Sequence, residues 1–284
     1  MEIQILNQQE ANNFTPAMGE RTAELLYRLS EKLDSEEIET LCKETKDILS
    51  HCTNPNLDEA QSVTNLVVGY VQSGKTMSFT TLSAMANDNG FRIIIYFAGT
   101  KNNLLSQTTK RLRKDLINES TNSLYYKLHE NPTNDDSQRI RNELQISTKP
   151  TILITVLKHY KYINYLGEIF NSTQLKNALG NKGVLIIDDE ADQASLNGYA
   201  YKNSQSDEWE EDEYTATYSS ILKLRSSIPN HSYIQYTATP QGPLLISIMD
   251  LLSPKHHTVL TPGKAYTGGK TFFDDEPGLI ITIP

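Results

Sequence analysis

Asn65-Leu66-Val67-Val68-Gly69-Tyr70-Val71-Gln72-Ser73-Gly74-Lys75-Thr76 joins a short apolar run to the pattern GxxxxGK[ST]. Each part of the pattern has a physical use. An apolar strand delivers the loop to the edge of a sheet. Glycines let the backbone curl, and N–H groups at the start of the next helix face an anion. Gly69, Val71, Gln72, Ser73, Gly74, Lys75, Thr76 and Met77 are therefore the expected phosphate-binding residues. Lys75 is expected to reach the outer phosphates of a nucleoside triphosphate, and the Thr76 hydroxyl to bind Mg²⁺. At average residue usage the bare pattern arises by chance in roughly one chain in a hundred of this length. The helix-compatible run MSFTTLSAMA that follows makes a chance match rarer still.

A second apolar run, Val184-Leu185-Ile186-Ile187, ends in Asp188-Asp189-Glu190-Ala191-Asp192. Acids crowded at the end of a buried strand need water, partners or a cation. A nucleotide site explains them. Asp189 is then the expected Mg²⁺ ligand, and Glu190 the group that orients and deprotonates an attacking water. The bland alternative is a strand running into a solvated acidic loop. A third run, Ser232-Tyr233-Ile234-Gln235-Tyr236-Thr237, leads into Ala238-Thr239-Pro240-Gln241. Hydroxyls at a strand tip can hydrogen-bond an acidic turn and relay the state of a nucleotide. Thr237, Thr239 and Gln241 are thus expected coupling residues, and Lys75 with Glu190 the expected catalytic pair. The expected ligands are ATP and Mg²⁺.

Working outward, short β-branched runs alternate with helical stretches. The pattern predicts strands at 65–69, 92–98, 151–156, 184–188 and 232–237. It predicts helices near 75–86, 103–117, 166–178 and 213–228. Continuous apolar strands separated by helices specify an α/β fold, a mostly parallel central sheet with helices on both faces. Residues 1–58 read as an N-terminal helical segment, with helices at 20–33 and 35–49. Residues 59–284 read as one α/β unit carrying an acidic insertion at about 197–213. The polar segment 118–149 is expected to be loop plus a short helix.

The chain has 284 residues and a formal net charge of −9. Six of the acids lie in Ser206-Asp207-Glu208-Trp209-Glu210-Glu211-Asp212-Glu213, and setting them aside leaves about −3 (−9 plus 6). The composition excludes a protein coated in positive charge, but not one that grips nucleic acid at a few points. No apolar run approaches the roughly 20 residues needed to cross a bilayer, and the N-terminus has no secretory pattern. The expected location is the cytoplasm, with no membrane partner. Cys42 and Cys52 form no CxxC pair, so no disulfide framework or cysteine zinc site is expected. His159, His231, His256 and His257 show no ligand spacing with cysteines or acids. The acidic stretch around Trp209 reads as an insertion loop.

GYVQSGKT, DEAD at residues 189–192 and TATP at residues 237–240 resemble motifs I, II and III of the superfamily-two helicases, in order. The likeness covers roughly residues 65–252. It implies a RecA-like P-loop NTPase lobe whose partner is nucleic acid, with DNA favoured. Gly99, Thr100, Lys101 and Gln107 match the motif that touches the nucleic-acid backbone in that superfamily, and Lys158 follows a strand similar to its next motif. More narrowly, VGYVQSGKT, IIDDEADQAS and YTATPQGPLL are similar to the bacterial Z-one family, whose members carry the label of endonuclease and occur in phage-defence loci. That likeness implies a defence-system protein partner.

Two departures carry consequences. No Gln motif for reading adenine precedes Gly69, and Gln61 is a candidate by position alone. The chain also ends 43 residues after Gln241 (284 minus 241). A second RecA-like lobe with an arginine finger does not fit there, so that lobe is expected from a longer protein or another polypeptide. Hydrolysis by this chain alone is then expected to be slow. Lys110, Arg111, Arg113 and Lys114 read either as a phosphate-contacting patch or as a solvated helix face. Two rival functions stay open. One is a P-loop switch acting on a protein without nucleic acid. The other is a non-enzymatic module that binds ATP to assemble a complex.

Overall fold

A computed structural model describes residues 14–69, 74–117, 124–193, 195, 216–241, 243, 252–264 and 266. Val71, Gln72, Ser73 and the acidic stretch around Trp209 lie outside these residues.

Two helices come first, α1 (Glu20–Leu29) and α2 (Ser35–Ser50). Asp34 caps α2 in a reciprocal box with Glu37, which satisfies two otherwise orphan N–H groups at the helix start. The sheet then builds from β1 (Gln61–Val68), β2 (Ile93–Ala98), β3 (Tyr126–Glu130), β4 (Thr151–Val156), β5 (Val184–Asp189), β6 (Asn230–Thr237) and β7 (His256–Val259). Every pairing among them is parallel, in the order β3-β4-β2-β5-β6-β1-β7. The fold class is therefore α/β with a parallel central sheet among the described residues, as the alternating apolar runs predict. The crossovers carry α3 (Lys75–Asp88), α4 (Asn102–Leu112), α5 (Ser137–Leu144), α6 (Tyr160–Asn171), α7 (Thr173–Leu179) and α8 (Ala216–Ser226).

The strands divide their side chains between two faces with period two. Ile94, Tyr96, Leu153, Leu185, Ile187, Ile234 and Tyr236 pack toward α1, α2 and α3, with Leu25, Ile48, Leu49, Phe79 and Leu82. Ile93, Ile95, Phe97, Ile152, Ile154, Val184, Ile186 and Tyr233 pack toward α5, α6, α7 and α8. Each such Ile, Leu or Phe contributes about 1.5–3 kcal/mol on burial. β2, buried along its whole length, is thus a central strand covered on both sides. The N-terminal helices share one core with β1, β2 and α3 rather than forming a core of their own. Among the described residues no helix is long and apolar enough to cross a membrane.

Several local predictions need correction. Segment 118–149 supplies β3 and α5, not loop plus one helix. Its strand, Tyr-Lys-Leu-His-Glu, lies at an edge of the sheet and mixes polar and apolar residues, with Tyr126 and His129 buried on opposite faces and His129 satisfied by Glu143, so it lacks the continuous apolar signal. The helix expected at 103–117 ends its α-helical part at Leu112 and closes with a π turn, Arg113–Ile117. The helix expected at 166–178 starts at Tyr160 and breaks at Ser172, whose hydroxyl accepts from the Leu175 N–H and opens α7.

Candidate functional site

β1 and β5 lie one strand apart, with β6 between them. This brings the end of the Gly69 strand and the acidic turn to the same edge of the sheet. In a parallel sheet that edge is where loops and helix N-termini converge. Gly74 opens α3 with φ +95, a left-handed conformation that costs glycine little and an L side chain far more. The Lys75 ammonium donates to the Gly69 carbonyl at 3.3 Å. Gly74, Lys75, Thr76 and Met77 line one cleft together with Asp189, Glu190, Gly99 and Gln107, about 980 Å³ in volume. The phosphate-loop residues that are described and the acidic pair therefore face a common space.

The acidic turn is held from below by a residue that the sequence did not mark for this role. Lys158, two residues past β4, is buried, and its ammonium donates to the carbonyls of Asp189 (2.6 Å), Glu190 (2.8 Å) and Gln193 (3.2 Å). The same nitrogen lies 2.6 Å from Asp188 Oδ1, an ion pair made while its three protons point to the carbonyls. Tyr233 donates its hydroxyl to the other Asp188 oxygen. Both charges are shut away from water, so each depends on the other. The expectation that Lys158 touches nucleic acid is corrected, because its side chain is 0% exposed and fully engaged. The signal was available: a buried aspartate at the end of a central strand requires a buried cation nearby.

Asp189 lacks such an arrangement. Burial raises its carboxyl to about 6; Lys158 and Lys75 pull it down, while Glu190 and Asp188 push it further up. Glu190 has φ +55, rare for a residue with a Cβ, and its N–H bonds Asp189 Oδ1 at 3.1 Å. Such a conformation stores about 1–3 kcal/mol. The clamp of Lys158 on the Glu190 carbonyl, and the Ala191 N–H on the Tyr236 carbonyl at 3.0 Å, hold it in place.

Asp192 meets the tip of β6. Thr237 Oγ1 donates to Asp192 Oδ1 at 2.6 Å and Thr239 Oγ1 to Oδ2 at 2.8 Å. Burial raises this carboxyl, but the two hydroxyl bonds outweigh it and hold Asp192 below the usual carboxylate range. The Thr239 N–H also donates to Thr237 Oγ1 at 2.9 Å. Gln241 is exposed beyond this chain of bonds. β6 has a second tie to α3, from the Tyr236 hydroxyl to Ser78 Oγ at 3.2 Å.

Across the cleft stands α4. Thr100, Lys101 and Gln107 are exposed, as are Lys110, Arg111, Arg113 and Lys114. Lys110, Arg111 and Lys114 line the cleft, and Arg111 also pairs with Asp115 at 2.5 Å. Gly99 is buried, with φ +73, and a Cβ there would meet Leu104 Cδ1 at 2.7 Å. Its place is set by the turn into α4.

Gln61 is corrected as a base-reading candidate. It begins β1, at the opposite edge of the sheet from Gly69, about eight strand residues or roughly 26 Å away. A small pocket of about 150 Å³ does adjoin the cleft at Gly74 and Met77. Leu41, Leu260 and Pro262 supply apolar lining, and Glu36, Glu37, Glu44 and Lys264 its charged groups; Glu37 accepts from the Asp34 and Lys264 N–H groups and Glu44 from the Thr261 N–H.

No protein-family model and no curated protein matches the chain. Solved structures with a similar fold include the Hef helicase domain of Pyrococcus furiosus, at 15% identity and TM-score 0.42 over 80% of this chain and 39% of that one. The DUF1998 helicase MrfA bound to DNA is similar at 14% identity and TM-score 0.48, over 88% of this chain and 31% of that one. The ATPase EscN, in complex with its central stalk EscO from the type III secretion system of enteropathogenic E. coli, is similar at 16% identity and TM-score 0.33, over 74% of this chain and 45% of that one. The chain spans less than half the length of each. Likeness at this level decides nothing about what the chain does.

Proposed function

We propose that the chain is the ATP-binding lobe of a nucleic-acid-dependent ATPase of the superfamily-two helicase type. One observation carries the reading: Lys75 and Thr76 at the start of α3 share a cleft with Asp189 and Glu190 at the end of β5. Lys75 binds the outer phosphates as a point charge. The Thr76 hydroxyl and the Asp189 carboxylate are hard oxygen donors, the kind that suits Mg²⁺. When bound, that ion offsets charge on the phosphates. Its approach also fits Asp189, a buried carboxyl whose neighbours include two further acids. Glu190, held in its unusual conformation, orients the attacking water and accepts its proton. Thr237 and Thr239 tie the acidic turn to the tip of β6, and Gln241 extends that path toward a bound strand.

The small pocket beside Gly74 and Met77 takes the base. Its aliphatic lining suits a flat ring, and its carboxylates suit an exocyclic amino group as hydrogen-bond acceptors. Thr100, Lys101 and Gln107 with the basic face of α4 supply the nucleic-acid contacts, with DNA favoured. A second lobe brings the arginine finger, so the isolated chain turns over slowly. The narrower likeness to the Z-one family, with its defence association, rests on the three motif strings and has no family match behind it.

Glu190→Gln tests the reading. Nucleotide affinity should hold, while hydrolysis by the protein with its second lobe falls on the order of 10²–10⁴-fold. Unchanged turnover would remove Glu190 from the chemistry and favour an ATP-dependent assembly module. The switch without nucleic acid predicts no binding to single- or double-stranded DNA. The helicase reading requires affinity that weakens steeply with salt.

A further inference from the structure

Asp47, His51 and His256 meet where the end of α2 reaches the start of β7. One donor atom from each lies within 4.8 Å of the others. Two imidazoles and a carboxylate form the donor set of zinc and its neighbours in the first transition row. The surroundings match the way such ligands are held. His51 Nδ1 lies 2.8 Å from the Asp47 carbonyl oxygen, so a proton on Nδ1 leaves Nε2 to ligate. Asp47 Oδ2 accepts from the Thr258 hydroxyl at 2.7 Å. The two imidazoles stack face to face, with centroids 3.3 Å apart and planes 6° from parallel.

We propose that Asp47, His51 and His256 form a surface site for a divalent transition ion of the zinc class. Bonds of roughly 2.0–2.2 Å put tetrahedral donors about 3.4 Å apart, so the cluster contracts by about 1 Å on binding. The stacked rings also rotate to turn their lone pairs inward. Side-chain exposures of 39% for His51, 45% for Asp47 and 33% for His256 leave room for that movement. Water completes the coordination. The ion clips edge strand β7 to α2, and β7 pairs with β1, the strand that leads to Gly69. Asp47, His51 and His256 lie outside the cleft lined by Lys75, Thr76, Asp189 and Glu190.

The 284-residue chain stripped with EDTA and titrated with ZnCl₂, without nucleotide or magnesium, tests it. One zinc site with a rise in melting temperature is expected. His51→Ala and His256→Ala should each weaken binding at least about tenfold and remove the rise. His256→Gln keeps a polar side chain on the surface and should lose zinc equally, separating ligation from loss of fold. His257→Ala, one residue on and facing away from Thr258, should leave affinity unchanged. Absence of zinc binding, or binding that survives the His51→Ala/His256→Ala double variant, overturns the site. The second outcome would send the ion to another cluster, such as residues 189–192.

Discussion

The two walls of the cleft are built in opposite ways. On one side the acidic turn after β5 is fixed from within, by the buried Lys158 ammonium, by Tyr233 on Asp188, and by Thr237 and Thr239 on Asp192. On the other side α4 and the π turn that closes it offer Lys110, Arg111 and Lys114 from an exposed face, where water screens each charge. The first wall is pre-organised, as a site that must aim a carboxylate requires. The second is solvated and can adapt, as the proposed contact with a flexible polyanion would require. Substitutions should therefore act mainly on stability at the first wall and mainly on binding at the second.

Lys158→Met breaks the contrast most severely. It leaves Asp188 charged and buried, and leaves three carbonyls without their shared donor. A loss of about 3–5 kcal/mol in urea unfolding is expected. A loss under about 1 kcal/mol would mean that the turn is held by something else.

Asp189→Asn should act in the other direction. A carboxyl raised to about 6 in the folded chain holds a proton that the unfolded chain releases from about pH 4. Folding is therefore favoured by this group at low pH, and the advantage disappears as pH rises through about 6. Without nucleotide, the amide should gain on the order of 1–3 kcal/mol over the parent at pH 8 and nothing near pH 4. Equal melts at both pH values would show Asp189 to be better solvated than its burial implies.

Thr237→Val should cost about 1–2 kcal/mol, since its hydroxyl reaches a carboxylate from a fully buried position. Thr239→Val, at the exposed end of the same pair, should cost less. An equal cost for the two would erase the distinction between the inside of the turn and its rim.

The double change Lys110→Gln/Lys114→Gln should shift stability by no more than about 0.5 kcal/mol. Its effect belongs in a salt titration of nucleic-acid binding, where the slope should fall by about 2, one for each phosphate that is no longer neutralised. An unchanged slope would return α4 to the reading of a solvated face.

The sequence by itself determined the central sheet. β2, β4 and β5 are buried on both sides, so each had to be a largely apolar run, and a run of that kind between helices has few other uses; β6, equally buried, carries Asn230, His231, Ser232, Gln235 and Thr237 and was legible from its Tyr-Ile-Gln-Tyr centre alone. It also led to the expectation that Lys75 and Thr76 meet Asp189 and Glu190 at one edge of that sheet, and these four line one cleft. The edge strands β3 and β7 escaped it, since a strand with an open side can be polar. Only the tertiary structure decided the partners. Lys158 and Asp188 are separated by 30 residues of chain (188 minus 158) and by β2 in the sheet. Nothing in their local composition says that one charge neutralises the other. His51 and His256 likewise carry no spacing that announces a pair. Periodicity along a chain records which way a residue faces, whereas the identity of its neighbour is a property of how strands and helices are ordered in space.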